Sequence, residues 1–190
     1  SSVLMKSEPT ETSPLETECL FGERVEILEE YLDWVYCKLS TDNYCGWIKK
    51  EGLGKSKNPT HRVVVKRSFI YINKNPKSNS LFYLPMGAKI LVENIKSHWA
   101  EISLYYNNKI QTGYVPTKHI VKLHHKVKDW VEVAQLLDGT PYKWGGRDTL
   151  GLDCSALLQL SYQTYGETIP RNTSQQVQLK KKYINDIEDL

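Results

Sequence analysis

GTPYKWGGRDTLGLDCSALLQLSYQTY, residues 139–165, divides into a turn-rich aromatic loop, a single cysteine and an apolar run of helical length. The loop around Tyr142, Trp144, Gly145 and Gly146 carries small residues where a backbone bends or passes close to another group. Asp153 precedes Cys154, and Asp is a favoured N-cap, so the pattern predicts a helix with Cys154 in its first turn. A thiol there sits at the positive end of the helix dipole, beside uncapped N–H groups that favour a thiolate. The competing reading is a small buried hydrophobe at the edge of an apolar helix, and a neighbouring carboxylate by itself disfavours a thiolate.

Outward from this stretch, DWVEVAQLLDG (129–139) reads as an amphipathic helix ended by Gly139, with Trp130, Val133, Ala134 and Leu137 on one face. The Cys154 helix is apolar on most sides (Ala156, Leu157, Leu158, Leu160, Tyr162, Tyr165), so burial nearly all round is expected. Beyond Gly166, IPRNTSQQVQLKKKY starts another helix, in which Thr173 and Gln176 have capping-box spacing. Lys180–Lys182 reads as a solvated helix face.

Residues 1–125 contain a degenerate repeat. Gly22 is followed twelve residues later by Trp34, and Gly87 twelve residues later by Trp99. Each copy has a run of alternating apolar residues after its Gly and later a Gly-aromatic pair, Gly46-Trp47 or Gly113-Tyr114, which is half-buried strand chemistry. Thr41-Asp42-Asn43 and Asn107-Asn108 mark turns. Two small β-barrels are expected, divided within GLGKSKNPT (52–60), with Trp34, Trp47 and Trp99 in their cores and His119–Lys128 as a basic connector. The domain limits expected are 1–55, 60–123 and 126–190.

The chain of 190 residues has 25 basic and 22 acidic side chains, a net charge of +3. Charges so interspersed argue against a nucleic-acid partner, and no apolar run is long enough to predict a membrane span. Cys19, Cys37 and Cys45 lie far from Cys154. Cys37 and Cys45 face a choice between a hairpin disulfide and two small apolar strand residues. No Cys-x-x-Cys or His-x-x-x-His cluster points to zinc.

PYKWGG, GLDCSALLQLSYQTYG and IPRNTSQQ, in that order, resemble the NlpC family of papain-like cysteine peptidases, which cut bacterial cell-wall peptides. The sequence Gly22-Glu23, Asp33-Trp34, Tyr44-x-Gly46-Trp47-Ile48 resembles the bacterial Src-homology-three barrel. The fold class implied is α+β multidomain, two small all-β barrels followed by the helical N-terminal part of a papain-like peptidase domain. By the resemblance Cys154 is the nucleophile, the backbone at Ser155 belongs to the oxyanion region, and Tyr142 and Asp153 line the substrate site. In relatives selective for a free N-terminal L-Ala, a Glu and a Tyr of the first barrel close the amine end of the cleft; Glu23 and Tyr44 match best. The acid and hydroxyl that help bind the amine fall at Asn172 and Thr173, so an amide replaces the acid and cannot neutralise an ammonium. The family also places its catalytic His on a strand after the Cys. Here 36 residues follow Cys154 and none is His; His61, His98, His119, His124 and His125 all precede it. The expectation is a cysteine endopeptidase for the γ-D-glutamyl to diaminopimelate amide of murein peptides, present as an inactive truncated fragment; the alternative is a non-catalytic murein-binding protein. No cofactor or metal is implied. Self-association through the apolar Cys154 helix, and a cytoplasmic setting with a periplasmic or wall-associated alternative, complete the expectations.

Overall fold

The structure is a computed structural model that describes residues 2–55, 57–106 and 109–179. The Asn107-Asn108 turn and the Lys180–Lys182 face lie outside the described residues.

The first five strands, β1 (Ser2–Lys6), β2 (Leu15–Leu20), β3 (Val25–Tyr31), β4 (Trp34–Leu39) and β5 (Cys45–Lys49), form an antiparallel sheet in the order β2-β1-β5-β4-β3. A second sheet contains β6 (His61–Val63), β7 (Arg67–Tyr71), β8 (Ser80–Pro85), β9 (Lys89–Lys96), β10 (Trp99–Tyr106), β11 (Lys109–Pro116) and β12 (Ile120–Lys122). Its order is β12-β6-β9-β10-β11-β7-β8. Ile120–Lys122, expected in the connector, is thus a strand paired with β6.

The repeat is visible as local geometry. Gly22 and Gly87 both have positive φ (78° and 85°), and Leu32 and Ser97, each two residues before its Trp, sit at φ 50° and 58° in the following hairpin turns. The Cβ missing at Gly22 would lie 1.9 Å from the Lys89 carbonyl oxygen, so glycine there lets the two barrels touch.

The barrel cores are mainly aliphatic. Met5, Val35, Cys37, Leu39 and Ile48 fill the first; Val63, Ile70, Leu84, Ile102 and Val115 are among those filling the second. Only part of the expected tryptophan core forms. Trp34 is buried, whereas Trp47 and Trp99 are half-buried, Trp47 tilted against Tyr36 and Trp99 edge-on to Tyr71. A barrel this small has little room for an indole once its inward strand positions carry branched side chains. The β4–β5 register pairs Cys37 with Gly46 and Cys45 with Lys38, which turns the two thiols to opposite faces. All four cysteines are free.

The remainder packs onto both barrels. α1 (Trp130–Leu136) is capped by Asp129, whose carboxylate accepts from Val131 N at 2.8 Å. Two short strands, β13 (Arg147–Asp148) and β14 (Gly151–Leu152), lead into α2 (Cys154–Tyr165), and α3 (Thr173–Gln176) follows. α2 is not apolar-buried all round. Its deepest positions are Ser155, Ala156, Gln159, Leu160, Ser161 and Thr164, while Leu157 and Leu158 are half-exposed. Ala156 and Leu160 pack with Leu20, Met86, Val133, Leu137 and Leu152, so the barrels and α1 cover this face within one chain. Trp130 stacks on Tyr162 at 4.8 Å, and Arg62 of β6 donates to the Thr164 carbonyl at 2.9 Å, a cation where the helix dipole favours one. Among the described residues no helix is long and apolar enough to cross a membrane.

Candidate active site

Cys154 is exposed at the head of α2, while Asp153, Ser155 and Ala156 on either side are buried. The cap sets this geometry. Asp153 Oδ1 accepts from Ala156 N at 2.8 Å and Ser155 Oγ at 3.0 Å, and Oδ2 accepts from Gly145 N at 3.1 Å. The N–H groups at the head of a helix have no intrahelical acceptor, so those of Cys154 and Ser155 are positioned to meet a developing negative charge.

The aromatic loop is strapped to the same point. Tyr142 forms a parallel bridge with Leu152; Lys143 N donates to the Leu152 carbonyl at 3.2 Å and Leu152 N to that of Pro141 at 3.0 Å. Tyr142 and Trp144 are left 66% and 69% exposed, two open aromatics on the loop that is bridged to Leu152, just ahead of Cys154. At Gly145 (φ +71°) a Cβ would lie 2.8 Å from Leu15 Cγ of β2, so the loop passes against the first barrel.

Two fully buried arginines hold that contact. Arg171 donates from Nη1 to Asp153 Oδ1 (3.0 Å) and Ser155 Oγ (2.7 Å), from Nη2 to Asp153 Oδ2 (2.6 Å), and from Nε to Thr17 Oγ1 of β2 (2.6 Å). Burial alone would raise the Asp153 carboxyl, but the paired guanidinium and the cap bonds hold it below the usual carboxylate range. Arg147 forks onto Glu23, Nη1 to Oε2 at 2.7 Å and Nη2 to Oε1 at 3.0 Å, and reaches the Glu18 carbonyl at 2.8 Å. Its backbone N–H donates to Glu18 Oε2 at 3.0 Å, and Lys143 pairs with Glu18 Oε1. Asp148, next in sequence, accepts from Tyr83 of the second barrel at 2.6 Å. Arg147-Asp148 therefore ties the loop to both barrels at once.

The residues expected from sequence divide accordingly. Cys154, Ser155, Tyr142 and Asp153 come together at the head of α2. Glu23 is engaged elsewhere: its carboxylate accepts from Arg147, Leu20 N and Thr41 Oγ1. Burial would raise it, yet Arg147 keeps it below the ordinary range. Tyr44 donates instead to Glu16 Oε2 at 2.8 Å and also meets the Asn172 side chain. Burial and the Glu16 carboxylate push the Tyr44 phenol up to about 12. Glu16, Tyr44 and Asn172 thus form one cluster across the barrel and the third motif. The capping box at Thr173 does not form. Asn172 is the N-cap position, without a side-chain cap bond, and Gln176 Nε2 donates to the Ser155 and Pro170 carbonyls at 3.1 and 2.8 Å. Thr173 is exposed in the first turn.

Sequence reasoning passed over Arg147, Arg171, Glu16 and Thr17. An arginine inside a glycine-rich turn was the available signal, since a charge placed where the backbone is tightest needs a partner. Of the histidines, His119 is bonded to Ser68 in the second barrel at 2.9 Å, and burial lowers it. Among the described residues no group of three or more His, Cys, Asp or Glu side chains is gathered to hold a metal.

Residues 5–53 match the bacterial dipeptidyl-peptidase Sh3 domain and residues 139–189 match the NlpC/P60 family. A gamma-D-glutamyl-L-lysine dipeptidyl-peptidase of Bacillus subtilis is 27% identical over 180 residues, covering 88% of this chain and 59% of its own. One of Bacillus cereus is 25% identical over 194 residues, covering 88% and 55%. The chain thus spans little more than half the length of these curated relatives. The crystal structure of an NlpC/P60 family protein from Bacillus cereus superposes with a TM-score of 0.76 at 18% identity, over 93% of this chain and 76% of that one, a likeness of fold. The chain is thus similar to a bacterial dipeptidyl-peptidase Sh3 domain over residues 5–53 and to part of the NlpC/P60 family over residues 139–189.

Proposed function

We propose that these residues form the nucleophile side of a cysteine endopeptidase that cuts the amide between γ-D-glutamate and an L-diamino acid in murein peptides. The observation that carries the reading is the exposed Cys154 thiol at the capped head of α2, with the backbone of exposed Tyr142 bridged to Leu152 two residues before it. The thiolate adds to the γ-glutamyl carbonyl carbon, and the oxyanion is met by the N–H groups that head the helix. The C–N bond then breaks, the amine leaves with a proton from a base, and water cleaves the thioester. The resemblance assigns that base to a histidine after the cysteine, and none occurs among the 36 residues that follow Cys154. We expect the 190 residues alone to be alkylated at Cys154 but not to turn over.

The cluster of Glu16, Tyr44 and Asn172 supports recognition of a free N-terminal amine. Asn172 brings no charge, and Glu16 brings one from the barrel side, in the role that sequence assigned to Glu23.

The test is hydrolysis of L-Ala-γ-D-Glu-L-Lys and its diaminopimelate counterpart by the gene-length protein. Release of the L-Ala-γ-D-Glu dipeptide, abolished by Cys154→Ala, is expected; release that persists in Cys154→Ala removes the proposal. A second reading, murein binding by the barrels alone, is favoured by the surface aromatics Tyr36 with Trp47 and Tyr71 with Trp99. Binding to sacculi unchanged by Cys154→Ala, without peptide release, would select it.

A further inference from the structure

We propose that Arg171 is a positioning residue for Cys154: it cancels the Asp153 charge beside the thiol and fastens the head of α2 to Thr17 of the first barrel. The reactivity of the thiol then depends on the docked barrel. The proposal rests on reading Cys154 as the nucleophile.

Asp153 serves two opposed demands. As N-cap its carboxylate accepts from Ala156 N, Ser155 Oγ and Gly145 N, bonds that favour its ionised form, yet a bare carboxylate one residue from the thiol repels the anion that must form there. Arg171 reconciles them by pairing both oxygens, Nη1 to Oδ1 at 3.0 Å and Nη2 to Oδ2 at 2.6 Å. It does so in a site where the guanidinium is 2% exposed and water screens poorly. The fork is aimed from its third side by Thr17 Oγ1, 2.6 Å from Nε. Thr17 is itself fully buried in β2, so the aim is fixed by the barrel and not by the loop that carries Arg171. Other charges near this end of the helix include the Glu18–Lys143 and Arg147–Glu23 pairs and Glu16 on Tyr44. A balanced Asp153 is what leaves the thiol's surroundings open to an anion.

Paired alkylation rates test this in the 190-residue chain. Iodoacetate and iodoacetamide are similar in size and differ in charge. Their rate ratio at Cys154, followed on the Cys154 peptide by mass spectrometry, cancels accessibility and thiolate fraction and reads local charge. Arg171→Met should lower the iodoacetate to iodoacetamide ratio about three- to tenfold, the effect of one unmatched charge near a solvent-exposed thiol. Asp153→Asn should raise it, and Arg171→Lys should stay within about twofold of wild type. Thr17→Val, which alters no charge, should shift the ratio in the same direction as Arg171→Met. A merely structural role would move Arg171→Met and Asp153→Asn the same way. That result, or an unchanged ratio in folded Arg171→Met, overturns the proposal. If Arg171→Met does not fold, unchanged ratios in Asp153→Asn and Thr17→Val overturn it instead. Hydrolysis persisting in gene-length Cys154→Ala would remove the enzymatic reading while leaving these ratios as measured.

Discussion

Replacing Arg147 by Met is the sharpest test of how the barrel is joined to the aromatic loop. The guanidinium is 0% exposed and its partner, the Glu23 carboxylate, is 1% exposed. Met retains most of the volume, so the loss is electrostatic: Glu23 becomes a buried charge met by Leu20 N, Thr41 Oγ1 and the more distant Lys89 ammonium, with no guanidinium paired to it. Breaking a buried pair from one side costs roughly 3–5 kcal/mol, whereas replacing both members by apolar groups is close to neutral in favourable cases. Here the double replacement also strands hydrogen-bonding groups that the pair had satisfied, worth about 1–3 kcal/mol. Arg147→Met should therefore lower stability by roughly 3–5 kcal/mol, a fall in Tm on the order of 10 °C for a chain of this size. Arg147→Met with Glu23→Leu should recover at least half of that loss. Urea unfolding followed by tryptophan fluorescence, with circular dichroism as a second probe, measures both. A single replacement costing under about 1 kcal/mol, or a double replacement no better than the single, would refute the argument that a buried ion pair carries the joint.

Acid should loosen the same joint. Glu23 and Asp153 are both held below their usual carboxyl values, so their contribution is complete above an unfolded value of about 4 and is lost as pH falls through the lower folded values. Urea midpoints should drop as pH falls below about 4, and Glu23→Gln should flatten that slope; an equal slope in the variant counts against it. In the gene-length protein Glu16→Gln should raise KM about 10- to 100-fold for substrates with a free amine, the worth of a charge-assisted hydrogen bond. N-acetylated substrates should be unaffected, and equal effects on both would dismiss Glu16 as the amine's partner. Gly146→Ala puts a Cβ 2.3 Å from the Gly151 carbonyl oxygen, whereas at Gly139 a Cβ meets nothing within 4 Å. Gly146→Ala should cost about 1–3 kcal/mol of overpacking, and Gly139→Ala only about 1 kcal/mol of left-handed strain. Thermal melts compare them, and equal costs would mean that the close approach at Gly146 is relieved.

Where sequence reasoning succeeded, the determinant was local. Gly22 and Gly87 mark the two barrels because a positive φ suits glycine wherever it occurs in a chain. Asp153 marks the head of α2 because a cap bonds within three residues of itself. Where it failed, the determinant lay far along the chain. Arg147 and Glu23 are 124 residues apart, and Arg171 and Thr17 are 154 apart. Nothing around Glu23 announces that it will be consumed by an arginine, and nothing around Glu16 announces that Tyr44 will turn toward it. The apolar count of α2 misled for a related reason. Ser155 and Gln159 are buried because Arg171 and Gln176 meet the first, and Asp42 and the Ile169 carbonyl the second. Composition cannot anticipate partners of that kind.

The same long-range pairs bear on what a domain boundary means here. A barrel and a peptidase segment joined by a spacer would each satisfy their own charges, because an unmatched buried ion is too costly to keep. In this chain the barrel carries charged and polar groups that the loop's arginines meet, and the loop carries one that a barrel tyrosine meets. Glu18 and Glu23 of the barrel receive Arg147, and Thr17 receives Arg171. Asp148 in turn receives Tyr83 from the second barrel, whose phenol is raised by burial and by that carboxylate. Separating the barrels from the loop would expose two forked arginines and three carboxylates together with the aliphatic contact of Leu20 and Met86 on Leu160. The motifs that identify the loop and the motifs that identify the barrel are therefore two parts of one site. The head of α2, where the thiol emerges, is held from both sides.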